Sequence, residues 1–460
     1  MQHDSLRPIG LSSGSRWVPQ RSQLPVLLVC LVVLATKSAR AMYYVTMSWL
    51  ALQITGEVAA VGLVLIWWPL LSLTLGPLIG AIVDRSNRSR IFMLGEGLQA
   101  AASAGLALTV SFGTAEDVGI AALYVTACVV SLGSLLSLPA IQGLLQAVGG
   151  TSMTRVVALG ASVHQLGSVV GSVLGGLIVA SLGTGAGLFA VAGFLAAAAC
   201  LVAPLHRYAA VPCDGTPSSY SSAVSDGFRL IFRNPALLAA CVAIALVWSA
   251  AQMSSVLLAA FTQYSLGLGV DAYGWIDAMW GVGALVVGVI LVGAAPAAIE
   301  RWLLRFGLLT LAASTACFSA AQGLWSAVLL HGVMGMAFAA SRITYDAYIL
   351  RTVDSSMVGR VRNNIQAAIG AMGLAIYLLP SIYVGASTRV VYLAFGGFLA
   401  VAAAVLFVWR NRLDVVAAVH ASAAGTAEDD ITLARAGTGA DEHEDPSSGS
   451  RIVSPTPRRR

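Results

Sequence analysis

Six ionisable side chains interrupt long apolar stretches of the chain: Lys37, Arg40, Glu96, Asp277, Arg342 and Asp346. A charge in a hydrocarbon interior costs several kcal/mol, so such residues face a partner or an aqueous path and commonly carry function. Lys37 and Arg40 are three residues apart and share a helix face, with Tyr43 and Tyr44 following. A guanidinium grips planar carboxylates through paired hydrogen bonds, whereas an ammonium supplies only a point charge. Neither cation has a carboxylate nearby in sequence, so an anionic ligand group or a distant carboxylate such as Asp346 is expected to meet them. Arg342 and Asp346 are four apart and can pair along one face. Asp277 and Asp346 are expected to carry protons. Glu96 lies one turn inside its stretch and is expected to meet the Arg85–Arg90 loop. His164 titrates near neutrality in water but is expected to be simply hydrogen-bonded. Ser134, Gln142, Trp248, Gln263 and His331 are further polar or aromatic residues in the apolar stretches.

The stretches that hold these residues are membrane spans. Of 460 residues, 58% are hydrophobic and only 10% charged, with a net charge of +5. Twelve spans of roughly 20 residues need about 240 apolar residues, and the chain offers about 267, 58% of 460. This composition excludes a soluble enzyme, a disulfide scaffold and a disordered chain. An outer-membrane barrel is excluded as well, because alternating strands give no apolar runs of that length. The basic balance is topological and does not imply nucleic-acid binding. No CxxC pair, nucleophile–base pair, phosphate loop or metal cluster is present, so neither an enzyme nor a cofactor is expected. The Glu442-His443-Glu444 run is read as a solvated acidic tail.

The spans read as 24–54, 58–83, 91–113, 118–147, 156–181 and 186–205, then 236–264, 272–295, 302–322, 325–350, 360–384 and 389–410. The first holds Lys37 and Arg40 halfway along, because neither 24–36 nor 41–54 alone is long enough to cross. Alternate loops carry twelve arginines, from Arg85 and Arg88 to Arg360 and Arg362, against Arg389 alone on the opposite set. By the positive-inside rule both termini are cytoplasmic. Residues 1–23 lack an apolar core and are read as a cytoplasmic segment, not a signal peptide. Residues 24–205 form a first six-helix half, 206–235 a cytoplasmic linker with a short surface helix, 236–410 a second half, and 411–460 a disordered tail.

Three motifs carry a family resemblance. Gly80-Ala81-Ile82-Val83-Asp84-Arg85-Ser86-Asn87-Arg88 follows the second span, its glycine suited to close helix approach. It resembles the GxxxDRxxR signature of the major facilitator superfamily, which implies a gating role for Gly80, Asp84, Arg85 and Arg88. In span 5, Gly167, Gly171, Gly175 and Gly176 form a smooth face. That face resembles the GPxxGG signature of the superfamily's antiporters, with Ser172 where proline is usual. Trp49 to Gly56, Leu138-Pro139-Ala140-Ile141-Gln142 and Val358-Gly359-Arg360-Val361 look like the macrolide-efflux and siderophore-export, enterobactin-exporter-like branch. The resemblance covers residues 20–410. That branch usually has an acidic or neutral polar residue midway along its first helix; here Lys37-Ser38-Ala39-Arg40 stands instead.

The resemblance implies an all-α membrane protein with the major facilitator fold, twelve transmembrane helices in two six-helix halves. Spans 1, 4, 7 and 10 would line its central cavity. The expected function is proton-coupled export of a small amphipathic, anionic metabolite such as a carboxylate siderophore, across a bacterial inner membrane, by a monomer. Lys37, Arg40, Tyr44, Gln252, Arg342 and Tyr345 are the expected substrate contacts. Multidrug or macrolide efflux and lysophospholipid flipping are the alternatives.

Overall fold

The computed structural model describes residues 24–113, 119–149, 153–208, 229–292, 297–353, 357–382, 387–409 and 411. Two compact units are present, Met1–Val405 and Leu406–Arg460. The first holds the helical bundle; of the second, 406–409 and 411 are described. The expected N-terminal segment, most of the linker and nearly all of the tail, including Glu442-His443-Glu444, lie outside the described residues.

The bundle is helical throughout its described length. We label its helices α1 (Leu24–Thr55), α2 (Val58–Leu65 continuing as Trp67–Arg85), α3 (Arg88–Phe112) and α4 (Ile120–Gly149). Met153–Val202 is one helical run containing α5 (153–182) and α6 (184–202). Then come α7 (Pro235–Ala260, ending in a π turn at Phe261–Ser265), α8 (Val270–Val292), α9 (Ala297–Phe318), α10 (Leu324–Thr352), α11 (Val358–Leu378) and α12 (Thr388–Trp409). Ten segments are long and apolar enough to cross a membrane. One of them, Leu159–His206, contains both α5 and α6. The remaining helix, α9, is 22 residues long but opens with Glu300, Arg301 and Arg305, which lowers its mean hydropathy. Leu182, Val289, Trp325 and Val405 stand on the bundle's surface, 72%, 66%, 80% and 62% exposed, as expected of side chains that meet lipid rather than water.

Local chemistry sets the breaks. Pro69 has no N–H for the Leu65 carbonyl, and α2 loosens there at Ile66. Gly56 ends α1 in the left-handed conformation (φ 71°), its N–H donating to the Leu52 carbonyl at 2.8 Å. Gly183 (φ 88°) lets the chain reverse between α5 and α6 without a loop. Asn87 and Asn234 cap α3 and α7, each accepting from two backbone N–H groups.

Packing in the bundle relies on missing side chains. A Cβ on Gly95 of α3 would lie 2.6 Å from the Gly133 carbonyl of α4. On α10, a Cβ at Gly335 would run into the Trp280 backbone of α8. Such close helix approach replaces the hydrophobic drive that lipid cannot supply. Larger side chains fill the rest, including Val29, Val33, Phe92 and Leu144 in one cluster. Phe261, Phe318 and Tyr392 form another, with ring centroids 4.8–5.3 Å apart.

Candidate functional site

The glycine stripe of α5 positions the cations of α1. A Cβ on Gly167 would sit 2.9 Å from Lys37 Cβ, and one on Gly175 would sit 3.0 Å from Met42 Cα. Between them Gly171 lies against the backbone of Ser38. The α1 backbone is thus seated on α5 through the turns that carry Lys37 and Arg40, midway along a 32-residue helix. Arg40 lies over the Trp68 ring, 6.0 Å from its centroid, and its Nε and Nη2 are buried without a hydrogen-bond partner. His164 of α5 is within electrostatic reach of Lys37, Arg40 and also Arg342 of α10. Cations from the first and second sets of helices therefore all act on His164. Tyr44 is 38% exposed and stands close to Arg40 and to Tyr377 of α11.

Arg342 and Asp346 share a small cleft between α7, α10 and α11, with Trp248, Arg362 and Gln366 on its walls. The expected ion pair does not form: among the described residues Arg342 and Asp346 are not within pairing distance. Arg342 instead lies 6.0 Å from the ring centroids of both Trp248 and Phe338, and its Nε is buried without a partner. The aromatic faces draw the guanidinium sideways, off the line to Asp346. Gln366 escaped the sequence reading and Arg362 was read only as a loop arginine, although their four-residue spacing just past Gly359-Arg360 puts them on one face of α11.

The carboxylates divide by environment. Glu96 corrects the expectation: it is fully buried and points to α1, away from the arginine loop. Thr36 Oγ1 donates to it at 3.1 Å, and Gln99 Nε2 donates at 3.2 Å. Ser134 Oγ in turn donates to Gln99 at 2.9 Å, so Ser134 serves this network. The three-residue step from Glu96 to Gln99 was the overlooked signal; it places both on the face that meets α1 and α4. Asp277 of α8 accepts from Ser172 Oγ of α5 at 2.5 Å. Ser172 is the residue that departs from the antiporter signature, and one turn along, a Cβ on Gly176 would lie 3.0 Å from Gly274 Cα. Farther along, Tyr264 at the end of α7 donates to the Gly56 carbonyl at 3.0 Å. Both hydrogen bonds join the first six helices to the last six, toward the Gly56 end of the bundle.

Other expected residues are placed differently. Tyr345 is 3% exposed and donates to the Leu304 carbonyl of α9 at 3.2 Å. It turns away from the cleft because one residue separates it from Asp346, a rotation of about 100°. Gln252 donates its amide nitrogen to the Ile369 carbonyl of α11 at 3.1 Å, leaving a buried, unpartnered Oε1. His331 bridges the Ile276 carbonyl, 2.7 Å from Nδ1, and Ser254 Oγ, 2.9 Å from Nε2. The carbonyl can only accept, so Nδ1 carries the proton and the ring is satisfied.

In the signature loop, Gly80 has no atom within 4 Å of its missing Cβ, against the expected close approach, because its own side of α2 is open while neighbouring Ile79 and Val83 face the core. Arg88 donates to the Gly143 carbonyl of α4 at 3.1 Å, in a notch that this glycine opens. Arg85 is exposed, and the Asp84 side chain lies outside the described residues. Arg389, alone on its side, caps two helix ends by donating to the Ser319 carbonyl at 2.9 Å and the Ser265 carbonyl at 3.2 Å. Among the described residues no cluster of His, Cys, Asp and Glu could hold a metal ion.

A twelve-helix bundle with a cation-lined interior has relatives of known shape. The structure is similar to the crystal structure of the nucleoside transporter NupG, with a TM-score of 0.61 at 14% identity, covering 84% of this chain and 98% of that one. It is also similar to a bacterial homolog of the human lysosomal transporter Spinster, solved inward-facing and unoccupied, with a TM-score of 0.64 at 15% identity, covering 85% and 98%. In sequence, the uncharacterized MFS-type transporter YfiS of Bacillus subtilis (strain 168) is 27% identical over 333 residues, 69% of this chain and 76% of that protein. Residues 29–294 match the model of the Major Facilitator Superfamily. More than half of the chain lies in that match, so the chain belongs to the major facilitator superfamily and is a multi-pass membrane transporter of small molecules.

Proposed function

We propose that this transporter exports an amphipathic molecule bearing a carboxylate, such as a carboxylate siderophore, in exchange for protons across a bacterial inner membrane. The observation that carries the reading is the convergence of Lys37, Arg40 and Arg342 around His164, with guanidinium nitrogens buried and unpartnered. An unpaired buried charge is strongly unfavourable, and an anionic substrate supplies the missing acceptors. Trp68, Trp248 and Tyr44 provide the apolar flank that an amphipathic body needs. The six-plus-six division, with both termini cytoplasmic, remains the frame for rocking one half on the other. The halves meet toward the Gly56 end while the Arg342–Asp346 cleft lies toward the arginine-rich end, which by the positive-inside rule is an inward-open arrangement.

Proton exchange is assigned to Asp346 and Asp277. Asp346 lines the cleft beside Arg342 and Arg362, so its protonation state changes the net charge that a substrate meets there. The small-residue face of α5 and the loop and helix motifs support the antiporter and siderophore-export branch. The test is binding of aromatic and aliphatic carboxylic acids, each beside its methyl ester, to the purified protein by calorimetry. Acids should bind and esters should not. Equal binding of both forms refutes the anion site and favours a drug exporter.

A further inference from the structure

The cleft between α7, α10 and α11 presents charges of both signs. Arg342 and Asp346 from α10 and Arg362 and Gln366 from α11 face it, and Trp248 with Ile244 of α7 forms the apolar wall. Asp346 is within electrostatic reach of both arginines but ion-paired to neither among the described residues. Two guanidinium groups and one carboxylate leave one positive charge, enough for one ligand carboxylate. A simple acid entering here also meets the like charge of Asp346, which opposes it. A carboxylate accepts hydrogen bonds and donates none, so only a ligand N–H or O–H satisfies it.

We infer that this cleft selects substrates in which the acid has a hydrogen-bond donor beside it, a hydroxy acid or an amino acid. The carboxylate of the ligand lies on Arg342 and Arg362, its hydroxyl or ammonium donates to Asp346, and its apolar body rests on Trp248. The inference rests on the anion reading above and adds the donor. It turns Asp346 from a residue that repels the substrate into one that recognises it.

The experiment compares four probes on the full-length purified protein by calorimetry. They are 3-phenylpropionate (acid alone), 3-phenyllactate (acid and hydroxyl), phenylalanine (acid and ammonium) and methyl 3-phenyllactate. A hydrogen bond to a charged group corresponds to roughly tenfold or more in affinity, so phenyllactate and phenylalanine should bind at least about tenfold tighter than phenylpropionate. Asp346→Ala should erase that preference, and Arg362→Gln should weaken all three acids by a similar factor. Where the alanine variant fails to fold, Asp346→Asn keeps the shape and should lose the preference for phenylalanine, whose ammonium needs the charge. Equal affinities for the three acids, a preference that survives loss of the Asp346 charge, or no binding of any acid overturns the inference. Ester binding as tight as acid binding defeats the anion reading instead, and the hydroxyl preference is still read from the acids.

Discussion

Substituting Arg40 by alanine removes the Nε and Nη2 edge of the guanidinium, two nitrogens that are buried and without a partner. That edge grips a carboxylate through two parallel charge-assisted hydrogen bonds. Each such bond contributes about 1.5–3 kcal/mol, so Arg40→Ala should cost about 3–6 kcal/mol of binding, on the order of 10²–10⁴ in affinity for an acidic ligand. Arg40→Lys keeps the charge and loses the fork, which removes the worth of about one bond, roughly 10- to 100-fold. The fold should respond in the opposite sense. Arg40 forms no ion pair among the described residues, feels only a longer-range attraction to Glu96, and lies over Trp68, so removing it relieves a buried cation without a close partner and should leave the melting temperature unchanged or raised. Calorimetry with phenylsuccinate, a diacid that can offer one carboxylate to Arg342 and Arg362 and the other to Arg40, and with its dimethyl ester reads the affinities, and intrinsic-fluorescence melting reads stability. An alanine variant that binds the acid within about twofold of the parent refutes the reasoning, as does a lysine variant equal to arginine.

Further outcomes follow from other residues. Asp84→Asn should abolish transport while membrane insertion stays normal, because Asp84 is the acidic position of the signature loop; uptake by inverted vesicles tests it, and retained transport refutes it. Ser172→Ala removes a hydrogen bond that joins α5 to Asp277 of α8 and should shift the conformers roughly tenfold or more toward separation at the Gly56 end. Spin labels at the exposed Leu182 and Asp271 positions report that separation, and an unchanged distance distribution counts against a latch. Glu96→Gln removes a negative charge that acts on Arg40 and should tighten binding of phenylsuccinate by about 1–2 kcal/mol, roughly five- to thirtyfold; weaker binding would show that Glu96 positions Arg40 instead of neutralising it.

The fold was legible because lipid imposes one pattern: each helix must be long and apolar, and each break shows as a glycine, a proline or a charged loop. Gly56, Pro69, Gly183 and Asn87 mark breaks that the chain announces in its composition. The site was legible only as far as it follows from the cost of charge. Lys37, Arg40, Arg342 and Asp346 stood out because a charge in an apolar span needs a reason; Lys37, Arg40 and Arg342 all act electrostatically on His164, and Arg342 and Asp346 line one cleft. Facing direction was harder. Tyr345 and Asp346 are adjacent, yet one packs on α9 and the other lines the cleft. Glu96 looked like a loop residue by its distance from Arg90, but α1, sixty residues away in sequence, delivers Thr36 to it. Such crossings are properties of pairs of helices, and no single stretch of sequence displays them.

The glycine stripe of α5 joins the site to the closure between halves. Gly167, Gly171 and Gly175 leave no gap to α1, and Gly176 leaves none to α8. Ser172, between them, binds Asp277. Close-packed interfaces do not deform continuously; they shift between discrete arrangements. A displacement of α8 against α5 therefore moves the surface on which Lys37 and Arg40 are seated, while Arg342 moves with α10, which α8 grips through Gly335. The cations proposed to bind the substrate are thus coupled to the contact between α5 and α8 through backbone contacts. Replacing proline by Ser172 in this stripe trades a rigid kink for a hydrogen bond whose acceptor can be protonated, and that gives the closure a chemical handle next to the site it guards.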